Sequence, residues 1–222
     1  MEKHSRPDPQ SQVAFPIARA GWFIIFMMAF ITAVFALLGL AIPALSGLAL
    51  TIFVCFFFRD PDRRAPATPN TLVSPADGKV IFAGEVEDTP FFSGKSMKIS
   101  IFMTVFNVHV NRMPCAGVVE RIKYHSGKFF AAHLPKASLD NEHNAIFIET
   151  PEGKKVCVVQ IAGLIARRII CYVQAGDDMP RGERFGIICF GSRVDLYLPP
   201  ESNVTVAKGA KVQAGSSVLG QL

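Results

Sequence analysis

The stretch RFGIICFGSRVDLYLP, residues 184–199, has two apolar runs on either side of a Gly-Ser pair. The runs Ile187–Phe190 and Val194–Leu198 have the composition of one continuous strand, with Gly191 and Ser192 in its interior. A glycine inside a strand weakens it and often marks strained backbone. The pair is therefore compatible with a β-bulge without chemistry. The bulge is the commoner case, but the pair is also compatible with a serine hydroxyl that attacks the preceding carbonyl, forms an ester and breaks the chain by β-elimination.

The segments around this stretch have the same character. Short runs, several of them alternating apolar with polar residues, are separated by Gly and Pro, as in half-buried strands. Only Lys128–Asn141 is predicted to be loop or helix. The pattern predicts a mainly β domain over residues 71–222. The further predicted strands are Lys79–Phe82, Lys98–Thr104, Val118–Lys123, Ala145–Glu149, Lys155–Ile161, Ile169–Val173 and Phe185–Phe190.

Two segments predict how these strands are arranged. VSPADGKV (Val73–Val80) and VAKGAKVQAGSSVLG (Val206–Gly220) resemble the hairpins of biotinyl and lipoyl carrier domains, which form a flattened barrel-sandwich. The lysine that those domains modify is missing from the turn. The resemblance therefore implies the architecture and not the swinging-arm chemistry.

The N-terminal part has a different composition. Residues 21–58 carry no charged side chain, and the run is nearly twice the about 20 residues that a membrane-spanning helix needs. Pro43, Ser46 and Gly47, which favour turns, lie in its middle. We therefore predict a two-helix membrane hairpin, tilted or re-entrant if the short second helix does not span. The predicted helices are Trp22–Leu40 and Ala44–Phe58. A cleaved signal peptide fits less well because the run is too long, and a buried helical pair is the remaining alternative.

Charge around the hairpin predicts its orientation. Basic residues flank both ends, which places both in the cytoplasm and suits anionic lipid headgroups, although an ordinary dispersed surface charge gives the same count. These residues are Lys3, Arg6, Arg19, Arg59, Arg63 and Arg64. The predicted organisation is a cytoplasmic tail (1–20), the hairpin (21–58), a proline-rich linker (59–70) and the β domain (71–222).

Other classes of site lack their sequence signals. The chain has no aromatic-basic motif typical of nucleic-acid binding, and no HExxH or CxxC spacing typical of a metal site. Its 5 cysteines are unpaired in pattern and odd in number, as in a protein of a reducing compartment. We therefore predict no nucleic-acid partner and no metal.

Taken singly, the candidate catalytic residues have ordinary explanations. Asp77 lies in an Asp-Gly pair, which is a common turn. His109 is a lone histidine among alternating apolar residues, and such a residue is more often structural than catalytic. Gly-Ser pairs are also common, and Gly215-Ser216 is a second one in this chain.

Several motifs in order, however, resemble one family. Together with the apolar hairpin they are similar to the short form of phosphatidylserine decarboxylase, over the chain from about Phe57 to Leu198. The motifs are FFRDPDR (Phe57–Arg63), SPADGKV (Ser74–Val80), VHVNRMP (Val108–Pro114), SGKF (Ser126–Phe129), KAS (Lys136–Ser138), NEHN (Asn141–Asn144) and FGS (Phe190–Ser192).

This resemblance implies a self-processing enzyme. Cleavage between Gly191 and Ser192 would give a β chain (1–191) and an α chain (192–222), with Ser192 converted to a covalent pyruvoyl group. That group would form a Schiff base with the substrate amine and act as an electron sink. Phosphatidylserine would become phosphatidylethanolamine and CO2 at the inner cell membrane, with the catalytic domain on its cytoplasmic side. A homo-oligomer is also implied.

The resemblance also implies roles for individual residues. Asp77 matches the aspartate that helps to activate the serine, and His109 matches a histidine near the pyruvoyl group. Longer members of the family have a second histidine where this chain has Arg112, and often an aspartate where it has Asn107. Their full relay is therefore not carried over. Arg112 is instead predicted to bind the substrate carboxylate or phosphate.

The segment between the VHVNRMP and NEHN motifs is predicted to cover the substrate site. Lys128 and Lys136 are its candidate phosphate-binding residues. The histidines of the same region are either part of that cover or ordinary solvated loop residues. They are His125, His133 and His143.

Two other functions remain as alternatives. A membrane-anchored barrel-sandwich adaptor without catalysis would follow from the carrier-like hairpins alone. A membrane-bound serine hydrolase would use Ser192 and His109, but the chain lacks the GxSxG motif of that class.

Overall fold

The computed structural model describes residues 16–132, 137–164, 168–189 and 191–222, apart from the side chains of Ser138 and Leu139. These residues divide into two compact units, one within 16–62 and the other within 63–222.

The first unit consists of two apolar helices, α1 (Arg19–Leu37) and α2 (Ala41–Phe57). They pack on each other where Gly47 allows close approach, since an added Cβ there would lie 2.6 Å from Thr32 Oγ1. The Oγ1 atoms of Thr32 and Thr51 are 3.3 Å apart. Each of these hydroxyls also donates to the carbonyl four residues earlier, so their polar groups are satisfied inside an apolar pair.

The turn between the helices lies earlier than the sequence predicted. It is formed by residues 38–40, where Gly39 takes a φ of +70° that favours glycine. Pro43, in contrast, lies in the first turn of α2, where a proline costs no intrahelical hydrogen bond. Ser46 and Gly47 are inside the helix. The predicted break at Pro43–Gly47 was therefore wrong in position, because these residues fit a helix start and a helix contact.

The second unit is built almost entirely of β-structure. Its elements form one eight-stranded sheet in the order β13-β2-β3-β11-β7-β6-β5-β9 and two three-stranded sheets, β1-β14-β12 and β4-β10-β8. The strands are β1 (Thr71–Val73), β2 (Gly78–Thr89), β3 (Phe92–Met103), β4 (Val110–Arg112), β5 (Gly117–His125), β6 (His143–Glu149), β7 (Lys155–Ile161), β8 (Arg168–Cys171), β9 (Asp178–Met179), β10 (Arg184–Cys189), β11 (Ser192–Leu198), β12 (Asn203–Val204), β13 (Lys211–Val212) and β14 (Val218–Gln221), with a short helix α3 (Ala137–Asp140).

The mainly β class with two N-terminal helices is thus confirmed. Alternate residues of the eight-stranded sheet face one large core, to which β10 contributes Phe185 and Ile188 from a smaller sheet. A second apolar cluster around Phe147 and Tyr197 lies on the opposite face of the large sheet, under the β2–β3 hairpin residue Phe91. The likeness to carrier domains stays a prediction.

The sequence predicted that the Gly-Ser pair lies inside one strand, and this prediction was wrong. β10 ends at Cys189 in a small sheet, whereas β11 begins at Ser192 in the large sheet. Gly191 between them has a φ of +59°, far from the negative φ of a regular strand. The chain therefore changes sheet at this glycine, and β11 enters the large sheet as a central strand between β3 and β7.

Candidate functional site

Ser192 is the first residue of β11 and faces the large core. Val194, Leu196 and Leu198 of the same strand belong to that core, and alternate residues of a strand share a face. The Ser192 side chain is fully buried. Its Oγ donates a hydrogen bond to Sδ of Met103, 3.4 Å away, on the directly opposite residue of β3.

The second Gly-Ser pair of the chain shows what is special about the first. Gly191 and Gly215 both have positive φ values, +59° and +75°. Ser216, however, is half-buried in a turn, whereas Ser192 is fully buried at the start of a central strand. Burial of the serine therefore distinguishes the candidate cleavage site, and the glycine backbone angle does not.

Three amide side chains, Asn111, Gln160 and Asn144, continue the polar end of the core; we call them the amide row. Asn111 Nδ2 lies 3.9 Å from Met103 Sδ, and Gln160 Nε2 donates to Asn111 Oδ1 at 2.9 Å. Asn144 Nδ2 donates to Gln160 Oε1 at 3.1 Å. All three amides are buried, and they bridge β4 of the small sheet to β6 and β7 of the large one. The row makes this end of the core polar and rigid without adding charge.

The Gly191 carbonyl is packed against another glycine. A Cβ placed on Gly163 would overlap the Gly191 carbonyl oxygen and would lie 3.1 Å from its carbon. The same Cβ would lie 3.3 Å from the Cβ of Ala132. The peptide bond that precedes Ser192 therefore has close neighbours on its carbonyl side.

His109 immediately precedes β4 and is fully buried. Its carbonyl oxygen accepts a hydrogen bond from the backbone N–H of Ile188, with an N to O distance of 3.4 Å. Because Ile188 belongs to β10, which leads to Gly191, His109 lies beside the strand that delivers the candidate cleavage site.

Asp77 is held by an arginine that the sequence alone did not single out. Arg63 forms a bidentate ion pair with its carboxylate, in which Nη2 donates to Oδ2 at 2.8 Å. The backbone N–H of Ala214 donates to Oδ1 at 2.8 Å. Asp77 directly precedes β2, a neighbour of β3, and thus lies at the same end of the large sheet as Met103 and Ser192.

Arg112 faces away from the amide row. It follows Asn111 on β4, and consecutive strand residues point to opposite faces. Its buried guanidinium donates to the carbonyl oxygen of Gly182 at 3.1 Å, and its stem lies against Gly215. The structure therefore does not bring Arg112 together with Ser192.

Of the two candidate phosphate-binding lysines, Lys128 lies in the part of the chain that the structure describes. Lys128 is exposed, and its Nζ lies 5.8 Å from the centre of the Phe130 ring. Its backbone pairs with Asn141 in an isolated bridge. Lys136 and His133 lie outside the described residues.

The two described histidines of this region form a stacked pair. The rings of His125 and His143 are 4.7 Å apart, and Phe91 contacts His143 edge-on. Nδ1 of His143 donates to the carbonyl of Asn141 at 2.7 Å. Burial lowers the pKa of His143, against the opposite effect of that hydrogen bond. His143 faces the second apolar cluster, on the other side of the sheet from Ser192.

Sequence analysis missed Met103, Gly163 and Gln160, and it named Arg63 as a basic residue flanking the hairpin without its partner Asp77. Gln160 left a weak signal, because it occupies the core-facing position of a strand that is otherwise apolar on that face. Gly163 left no signal, because a side chain there is excluded by the Gly191 carbonyl, which is close only in the folded chain.

Comparison with known proteins gives the family. A sequence profile described as phosphatidylserine decarboxylase matches residues 50–220. A protein named phosphatidylserine decarboxylase proenzyme from Syntrophotalea carbinolica is 48% identical over 93% of this chain and 97% of its own length. Proteins with the same name from Desulfotalea psychrophila and Burkholderia vietnamiensis are each 47% identical over 93% of the chain, and over 97% and 96% of their own lengths. By sequence the chain belongs to the phosphatidylserine decarboxylase family.

Proposed function

We propose that this protein decarboxylates phosphatidylserine to phosphatidylethanolamine after cutting its own backbone between Gly191 and Ser192. One observation carries the proposal for this bond. A serine hydroxyl is fully buried at a point where the chain changes sheet through a glycine in the left-handed region. The relatives' name, proenzyme, agrees with a chain that is processed.

The cleavage uses only atoms of the chain and one water molecule. Ser192 Oγ attacks the Gly191 carbonyl carbon, the C–N bond breaks, and the hydroxyl proton passes to the released amine, which gives an ester. Loss of the Ser192 Cα proton then expels the Gly191 carboxylate. The remaining enamine tautomerises, and water replaces its nitrogen as ammonia. The product is a keto-acyl group at the start of β11.

His109 and Asp77 are the proposed proton-transfer residues of this reaction. His109 is buried beside β10, and His is the side chain best suited to move protons near neutral pH. Asp77 is fixed by Arg63 and by the Ala214 N–H at the same end of the sheet. These placements support a role for both, with Arg63 as the residue that orients Asp77.

The surroundings of Ser192 fit a pyruvoyl group. The site is buried, Met103 Sδ faces the side chain, and the amide row supplies neutral hydrogen-bonding groups nearby. A small neutral ketone can occupy such a site without an unpaired charge. When present, the pyruvoyl group supplies the electron sink for decarboxylation. The chain's own contribution is to hold the reacting carbon at a fixed position and to exclude water.

Substrate binding is proposed for the exposed Lys128, whose ammonium suits the phosphate of the lipid. Lys136, from the same segment, is proposed for the same role on sequence grounds alone. The contacts of Arg112 instead support a structural role at Gly182 and Gly215.

The helical unit is proposed as a membrane hairpin. α1 has 19 residues and contains an 18-residue window with a mean hydropathy of 2.3, so it is long and apolar enough to span a bilayer, whereas α2 with 17 residues is slightly shorter. The basic residues Arg19, Arg59 and Arg64 at its ends favour a cytoplasmic location of both ends at the inner membrane. A homo-oligomer is likewise proposed.

The test is the intact mass of the purified full-length protein in detergent, alongside conversion of phosphatidylserine. We expect two chains that meet at Gly191, the smaller about 17 Da lighter than a chain with an ordinary N-terminal serine, since a ketone has replaced the amine. Ser192→Ala should stay uncut and inactive.

Ser216→Ala is the matched control, because Ser216 also follows a glycine with positive φ. It should be cut and active. An active, folded wild-type protein that remains one chain would overturn the proposal. Labelling of Ser192 by a fluorophosphonate in the mature protein would point to a hydrolase instead.

A further inference from the structure

The loop after β7 approaches the bond that the proposed reaction cuts. Ile161 ends β7 and pairs with Arg193, the residue after Ser192. In this antiparallel register Gly163, two residues after Ile161, lies level with Gly191, two residues before Arg193. There its α-carbon faces the Gly191 carbonyl so closely that any side chain would overlap the oxygen.

Ala132 forms a second wall beside the same carbonyl. Its Cβ lies 3.3 Å from the position that a Cβ on Gly163 would take. Arg193 holds this wall in place, because its Nη1 donates to the Ala132 carbonyl at 2.9 Å. Arg193 is itself buried and paired with Asp195, with 2.9 Å between Nε and Oδ1.

Asn141 joins the two walls. Its buried amide accepts from the N–H of Phe130 at 2.9 Å and donates to the Phe130 carbonyl at 2.8 Å. The same Nδ2 donates to the carbonyl of Ala162 at 2.7 Å. Ala162 in turn donates its N–H to the Glu142 carbonyl at 2.9 Å. One side chain therefore fixes the segments that carry Ala132 and Gly163.

We propose that Gly163 and Ala132, clamped by Asn141 and Arg193, form a seat that holds the Gly191 carbonyl in position for attack by Ser192 Oγ. The inference rests on the proposed self-cleavage and assigns these residues to its first step. In that step the Oγ–C bond forms and the C–N bond breaks. A fixed carbonyl favours this step because the attacking and accepting atoms start in position, and a displacement of about 1 Å can cost about 100-fold in rate.

The test follows cleavage of newly synthesised full-length chain in nanodiscs, by gel electrophoresis, for wild type, Gly163→Ala and a control. Gly84→Ala is the control, since the nearest atom to an added Cβ there is 3.7 Å away. We expect Gly163→Ala to be cut about 100-fold more slowly and Gly84→Ala to be cut normally.

Hydroxylamine identifies the step that is affected. It cleaves an ester at neutral pH but leaves a peptide bond intact. Uncut Gly163→Ala precursor should therefore resist hydroxylamine, because its ester has not formed. Release of the α chain by hydroxylamine would place the defect at the later elimination and overturn the seat, as would cleavage at the wild-type rate.

Asn141→Ala adds no atoms to the core. It tests the seat if Gly163→Ala fails to fold. It should keep a cooperative thermal transition yet be cut more slowly and without a hydroxylamine-sensitive ester. Cleavage of a folded Asn141→Ala chain at the wild-type rate would overturn the seat. An uncut wild-type chain would overturn the proposed function as well, whereas normal cutting of both variants would overturn the seat alone.

Discussion

At the residue scale, the pair of Arg63 and Asp77 is the contact most open to a direct test. Both side chains are about one-tenth exposed, and the guanidinium contacts both carboxylate oxygens. Removing one partner of a buried pair leaves an uncompensated charge, which typically costs about 3–5 kcal/mol. We expect Arg63→Met to lower the free energy of unfolding by about this amount.

Thermal and urea unfolding on the uncleavable Ser192→Ala background would measure this effect without interference from processing. Arg63→Lys should lose less, because it keeps the charge but not the two-pronged contact. The double variant Arg63→Met with Asp77→Leu should recover part of the loss. Equal stability of Arg63→Met and its parent would show that the pair contributes nothing.

The same scale shows how far the sequence could lead. Gly191, Ser192, His109 and Asp77 were proposed as site residues because they lie in ordered motifs that resemble one family. The neighbours that position the Gly191 carbonyl, such as Gly163, are far away in the chain. A glycine that is required by a distant carbonyl looks like any other glycine in a sequence.

At the element scale, composition predicted the kind of structure well and its boundaries less well. The strand prediction across Gly191 failed because apolar composition continues through residues that belong to two different sheets. The change of sheet is seen only in the folded chain, where β10 and β11 pair in different sheets and Gly191 between them has a positive φ. The predicted position of the helix break was wrong because composition alone does not show that Pro43 lies in the first turn of α2, where a proline is tolerated.

A histidine pair that joins the end of β5 to the start of β6 should make the free energy of unfolding depend on pH. Residues His125 and His143 are paired across these strands, and burial lowers the pKa of His143 below its ordinary value of 6.5. His125 strengthens this effect, whereas Asp195 and the Asn141 carbonyl oppose it. The unfolded chain then binds more protons than the folded one between the lowered pKa and 6.5.

The contribution of His143 to the free energy of unfolding should therefore be constant above pH 6.5 and should fall as the pH drops below 6.5. The midpoint of thermal unfolding of the Ser192→Ala protein, measured from pH 8 to about pH 5, tests this. His143→Phe removes the titrating ring but keeps an aromatic contact with Phe91, and it should flatten the dependence. A wild-type midpoint that rises on acidification would contradict the assignment.

At the scale of the whole molecule, the proposed cut leaves two chains that remain interwoven. The α chain would begin with β11, which is paired along its length with β3 and with most of β7. Further along, β13 pairs with β2, and β14 pairs with β1. The smaller chain thus contributes to two sheets and to the large core, so both chains should elute together in gel filtration of the native protein.

Unfolding should nevertheless reveal the cut. When the processed protein unfolds, one folded particle gives two chains, so its unfolding midpoint should rise with protein concentration. Each protomer of the uncut Ser192→Ala protein gives one unfolded chain instead of two, so its midpoint should rise less steeply over the same range. Scanning calorimetry at several concentrations, at a fixed ratio of detergent to protein, would measure both. A midpoint of the fully processed protein that rises no more steeply than that of the uncut protein would mean that the two chains stay associated after their sheets have unfolded, which strand pairing alone does not provide.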